Sequence, residues 1–180
     1  MVLQFACSKA GLILYTLDPT AVSDPIKAKE SLSAALTLTE ANVLVTPETH
    51  LDTNYISLCK SVIPETRIFD FSNGMPFVSP RFPHLRLPIQ TGFDQNDEGN
   101  LGFLLLRHMV VPGGNLESML ENISSETPLA GQLSVGSDGV PTGVGKHLTN
   151  AQVVAQNVWP TYCKILAKEF HDVEGVGVIF

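Results

Sequence analysis

The chain has 180 residues, long enough to bury one substantial core as a single domain. Apolar residues make up 44% and charged residues 16%, against roughly 25% charged in typical soluble domains. Some apolar surface is therefore expected to meet another protein or the rest of a larger fold. A net charge of −7 with eleven dispersed basic residues excludes a cationic nucleic-acid stripe. Apolar runs such as Phe103-Leu104-Leu105-Leu106 fall far short of the roughly 20 residues a membrane span needs.

In chain order, residues 2–10 read as an apolar helix closed by Gly11, a favoured residue just past a helix end. Met1-Val2-Leu3-Gln4-Phe5-Ala6-Cys7 resembles the inside of such a helix, so upstream residues, and any targeting signal with them, are expected to be missing. Leu12-Ile13-Leu14-Tyr15-Thr16-Leu17, bounded by Asp18-Pro19, predicts a buried strand. Ser23-Asp24-Pro25 marks a helix start, with Ser23 or Asp24 as N-cap and Pro25 in the first turn. That helix runs to Glu40 with Ala28, Leu32, Ala35, Leu36 and Thr39 on one face. Ala41-Asn42-Val43-Leu44-Val45-Thr46 is the next strand. Asp52 then caps a helix through Ile63, stopped by Pro64, and Arg67-Ile68-Phe69-Asp70 makes a short third strand.

The segment 71–88 carries Pro76, Pro80, Pro83 and Pro88, which favour extended or turning chain. Residues 85–91 suit a strand, 94–100 a polar loop, and 101–111 either helix or strand, with helix preferred. A short helix over 116–122 precedes a strand over 129–135 that enters a glycine loop. Leu148-Thr149-Asn150 caps a helix reaching Trp159. A second helix covers 161–171 and a strand 176–180. Helices and strands alternating with brief connections predict an α/β fold with a mainly parallel sheet flanked by helices.

Cys7, Cys59 and Cys163 are distant and odd in number. They suit a reducing compartment and buried structural roles, so an intracellular location is expected, cytoplasm or an organelle such as the mitochondrion. His50, His84, His108, His147 and His171 lack metal-ligand spacing. Arg81, Arg86, Arg107 and His108 suit surface or capping roles. Glu117, Glu121 and Glu126 suit a solvated face. The aromatic run Phe69-Asp70-Phe71 with Met75-Pro76-Phe77 and Phe82 suits core packing or a protein interface.

The glycine loop is the most informative stretch. In Leu133-Ser134-Val135-Gly136-Ser137-Asp138-Gly139-Val140-Pro141-Thr142-Gly143-Val144, glycines at 136, 139 and 143 can turn backbone N–H groups inward as an anion nest. Gly143-Val144-Gly145 begins a dinucleotide fingerprint that Leu148 breaks. Gly136 directly precedes Ser137, so the G-x-S-x-G nucleophile elbow is absent.

Three segments together resemble the adenylate-forming superfamily of acyl- and aryl-CoA synthetases, luciferases and peptide-synthetase adenylation domains. Lys9-Ala10-Gly11-Leu12-Ile13-Leu14-Tyr15-Thr16-Leu17-Asp18-Pro19 is similar to its K-A-G…L-D-P stretch. The segment from Ser31 to Thr46, with Leu36-Thr37-Leu38-Thr39-Glu40-Ala41-Asn42-Val43-Leu44-Val45-Thr46 in it, is similar to the helix and strand that follow. Val135-Gly136-Ser137-Asp138-Gly139-Val140-Pro141-Thr142-Gly143-Val144, then Leu148-Thr149-Asn150, is similar to S-G-[ST]-T-G-x-P-K-G-V and x-L-T-H-x-N. The wording is also similar to acyl-CoA-ligase-like proteins of filamentous fungi. The resemblance implies one partial domain over 1–180, folded like the N-terminal subdomain of these enzymes.

The departures carry the functional expectation. Asp138 stands where the family has threonine, Thr142 where it has lysine and Asn150 where it has histidine. A charge pair about 4–5 Å apart at an effective dielectric near 20 is worth roughly 3–4 kcal/mol, so this exchange disfavours a triphosphate. The family's later elements also have no room in the chain. The resemblance therefore implies a truncated, catalytically incompetent relative of AMP-dependent acyl-CoA ligases, acting through protein contacts or as a homo-oligomer. The alternative is a nucleotide- or acyl-CoA-binding ligase subunit that joins an acid to CoA through an acyl-adenylate and needs a partner chain or the missing C-terminal half. It would bind ATP or AMP with magnesium through Gly136, Ser137, Gly139 and Gly143, with Lys146 replacing the absent lysine. No catalytic residue and no protein metal ligand is assigned.

Overall fold

The computed structural model describes Leu3, Ala6, Cys7 and residues 10–17, 24–50, 53–92, 102–109 and 123–155. Helices and strands mix along them, an α/β composition. The first elements are β1 (Leu14–Tyr15), α1 (Pro25–Thr39), β2 (Val43–Thr46), β3 (Thr49–His50), β4 (Thr53–Asn54) and α2 (Tyr55–Val62). Then come β5 (Leu87–Gln90), β6 (Leu104–Leu105), α3 (Leu106–Met109), β7 (Pro128–Gly131), β8 (Leu133–Val135), β9 (Pro141–Val144), β10 (Leu148–Thr149) and α4 (Asn150–Ala155). Contacts divide the chain into two compact units. One comprises Met1–Tyr15, Asn115–Gln132 and Lys146–Phe180; the other comprises Thr16–Gly114 and Leu133–Gly145.

In the larger unit α1 starts as its sequence dictates. Asp24 holds an extended backbone and its carboxylate accepts the Ile26 N–H at 2.8 Å, while Pro25 occupies the first turn, where no N–H is needed. Such a cap is worth about 1 kcal/mol. The helix buries Ala28, Ser31, Leu32, Ala35 and Leu36 on one face, the spacing that 3.6 residues per turn produces. Glu40 ends it in the left-handed region at φ 50°.

Strands β2, β5 and β6 form a parallel sheet in that order, with Thr46 opposite Gln90 and Gln90 opposite Leu105. Pro88 sits fully buried in the central strand, a position proline normally avoids. The Leu87 and Thr91 N–H groups donate toward β2, to Asn42 and Thr46 at 3.1 and 3.0 Å. Alternation therefore puts the missing Pro88 donor on the β6 side, ahead of the β6 ladder, which begins at Ile89 opposite Leu104.

Helix α2 is capped by the Asn54 side chain, which accepts the Ser57 N–H at 2.7 Å. The expected cap, Asp52, lies outside the described residues; the helix itself starts at Tyr55, three positions later. Pro64 ends it in a 3₁₀ turn, Pro64–Arg67. The expected strand at Arg67-Ile68-Phe69-Asp70 does not form. The Glu65 carbonyl takes both the Ile68 and Phe69 N–H groups, at 3.2 and 3.1 Å, so the donors a strand would offer a neighbour are spent locally. Ile68 is left 85% exposed.

The core of this unit gathers the buried faces of α1 and α2 around Ile63, Phe77, Phe82, Leu85 and Phe103. Phe69 and Phe71 pack on it, with Phe77 edge-on to Phe69 at 5.1 Å. The phenylalanines of this stretch thus take core packing, one of the two uses expected of them, while Met75 and Val78 beside them stay exposed. A second 3₁₀ turn, Phe71–Asn73, is capped by Asp70, whose carboxylate accepts the Ser72 N–H at 2.8 Å.

That backbone hydrogen bond, helped by the Ser72 side chain, holds Asp70 below its ordinary carboxyl range. A depressed carboxyl stabilises the fold above its unfolded pKa and loses that contribution as pH falls through the folded value. Asp70→Asn is therefore expected to flatten the acid limb of a stability–pH curve measured by urea denaturation. Parallel curves for the two proteins would contradict this.

The smaller unit holds a three-stranded sheet in the order β1-β7-β10. Strand β1 runs parallel to β7 and β10 antiparallel to it. Leu12 and Ile13 are exposed, so the apolar run at 12–17 forms only a two-residue strand rather than a buried one. Gly11, at φ 65°, turns the chain, and the Leu12 N–H closes on the Cys7 carbonyl at 2.9 Å. Helix α4 opens with a reciprocal capping box. The Thr149 hydroxyl accepts the Gln152 N–H at 3.3 Å and the Gln152 side chain accepts the Thr149 N–H at 3.0 Å.

The two remaining pairings, β3 with β4 and β8 with β9, are antiparallel ribbons in the larger unit. Small sheets of mixed direction therefore stand where one mainly parallel sheet was expected. Within the expected 101–111 segment, the described residues 102–109 hold strand β6 and helix α3. Expectations for 94–100, 116–122, 161–171 and 176–180, and for Ser23, Glu117, Glu121, Cys163 and His171, lie outside the described residues.

Candidate functional site

The glycine loop is the turn of the β8–β9 hairpin. Leu133 pairs with Val144 and Ser134 with Gly143, and the register shifts before Val135 meets Pro141. Gly139 takes φ 84°, which glycine adopts without a side-chain penalty. The turn then closes on itself. The Gly136 N–H donates to the Val140 carbonyl at 2.9 Å and the Gly139 N–H to the Gly136 carbonyl at 3.0 Å. The Val140 N–H donates to the Asp138 carboxylate at 3.2 Å. A Cβ at position 136 would lie 2.8 Å from that same carboxylate oxygen, so Gly136 makes room for Asp138.

An anion nest works only while its N–H groups point at an open concavity. Three donors of this loop already have oxygen partners within it, one of them a carboxylate. Thr142 donates its hydroxyl to the Ser134 carbonyl at 3.3 Å, which ties the two strands together. Ser137 is exposed, and Gly143 has open space where a side chain would be. Gly136, Ser137 and Gly139 thus share one turn, while Gly143 lies in strand β9 opposite Ser134. Lys146 is exposed and belongs to the other unit's segment, at its first residue.

Other candidates are dispersed. Arg81, Arg86, Arg107 and His108 are exposed; Arg86 bonds the Leu85 carbonyl and Arg107 the His108 ring. Among the described residues, no three His, Cys, Asp or Glu side chains gather as metal ligands. A shallow depression lined by Gly11, Ile123, Thr127, Pro128, Leu129 and Asn150 has no room for even a water-sized guest, whereas ligand pockets begin at roughly 300 Å³.

Two arrangements escaped sequence reasoning. The Tyr15 hydroxyl meets His147 Nε2 at 2.6 Å, and the Tyr15 ring lies where a side chain at Gly131 would have to go. Only the parallel pairing of Tyr15 with Gly131 brings these together, and no motif announces it. The second is Gln90, at the carboxyl end of β5. Its side chain is fully buried and neither its amide nitrogen nor its oxygen has a partner.

Register partners in a parallel sheet project to one face, so Gln90 shares a face with Thr46. The Thr46 hydroxyl is close enough to hydrogen-bond the Cys59 sulfur of α2. Burial pushes the Cys59 thiol up to about 12, which makes it an inert core group rather than a nucleophile. An unpaired buried amide costs about 1–3 kcal/mol, so Gln90→Met, of similar size and without that debt, is expected to raise stability by roughly that amount. A lowered urea midpoint would show that the carboxamide has a partner after all.

No family model matches the chain, and no curated protein or solved structure matches it.

Proposed function

We propose that this chain is a catalytically silent relative of the adenylate-forming ligases that works through contacts with protein, a second copy of itself included. In this reading the parallel pairings β1 with β7 and β2-β5-β6 are what persists of the mainly parallel, helix-flanked sheet of the N-terminal subdomain of those enzymes. One observation carries the proposal: the turn that would cradle a triphosphate satisfies its Gly136, Gly139 and Val140 donors internally, with the Asp138 carboxylate seated among them. The order of the three sequence segments supports the ancestry. Exposed Ile68, Met75 and Val78 in the larger unit support a protein-facing role, since apolar side chains clustered in one stretch suit an interface better than open water.

Titration calorimetry with Mg-ATP and with AMP tests the silence of the loop. The wild-type chain is expected to bind neither more tightly than about 1 mM. A dissociation constant of about 10 µM or below for either nucleotide would overturn the proposal and restore the ligase-subunit reading, with Lys146→Ala then asked whether that lysine contributes. Sedimentation across a wide concentration range tests the self-contact: association is expected, and a monomer throughout would remove the second copy as partner.

A further inference from the structure

We draw no further inference here: the strongest candidate, the buried and unpartnered Gln90 carboxamide beside Thr46 at the carboxyl ends of β2 and β5, is sealed from solvent, and nothing in the structure shows what would reach it.

Discussion

Gly102→Ala is expected to cost roughly 2–5 kcal/mol, combining a left-handed penalty of about 1–2 with overpacking of about 1–3. Gly102 holds φ 82°, and a Cβ built there would overlap the carbonyl oxygen and Cα of Thr66. The obstruction is backbone, so no rotamer change relieves it. Thr66 is itself fully buried, and its hydroxyl donates to the Ile63 carbonyl at 2.7 Å. Retreat would therefore break a contact at the heart of the core. Against a typical total of about 5–15 kcal/mol, such a loss would leave the larger unit marginal.

Gly74→Ala provides the matched control. Gly74 has φ 67° with nothing near a built Cβ, so only the conformational penalty of about 1–2 kcal/mol applies. Urea denaturation of the two variants separates the terms. Equal losses would mean that the close approach of Gly102 to Thr66 contributes nothing.

The second large effect is Phe77→Ala, expected to cost about 3–5 kcal/mol. Phe77 is 1% exposed and lies edge-on to Phe69 at 5.1 Å and stacked on Phe71 at 6.3 Å. Its removal loses the transfer of a large ring and leaves two partners facing a void, and the flanking 3₁₀ turns limit collapse into it. Ile68→Ala, a few residues away but projecting into solvent, is expected to change stability by less than about 0.5 kcal/mol. Thermal or urea midpoints of this pair decide whether the aromatic cluster is core. A Phe77 effect as small as that of Ile68 would refute it.

Helix α1 was the most legible element, because its start and buried face are both local. Asp24-Pro25 supplies a cap and a preset dihedral, and Ala28, Leu32, Ala35 and Leu36 follow the helical period. The start of α2 was misplaced because Asp52 and Asn54 are equally able caps, and choosing between them depends on the β3–β4 ribbon. Arg67-Ile68-Phe69-Asp70 has the composition of a strand. Whether it becomes one depends on where its donors go, and the Glu65 carbonyl takes two of them before a neighbour can.

The candidate site shows the same division. The glycine positions could be read directly, since they are chemistry along the chain. That the Asp138 carboxylate accepts the Val140 N–H is a property of the closed hairpin, which composition alone does not contain. Gln90 was less accessible still. Its strand was expected, but a glutamine at a strand's end is usually solvated, and its burial follows only from what packs over it.

Pro88 has a consequence for the chain's company as well as its fold. Main-chain pairing propagates residue by residue wherever donors and acceptors continue. On the β6 side, β5 presents a donor at Gln90 and none at Pro88, so a neighbouring strand cannot be extended past Leu104 toward Gly102 by ladder bonds. The same gap confronts any foreign strand that displaces β6 and tries to zip along β5. A single ring thus sets, from within the central strand, where the short ladder to β6 begins.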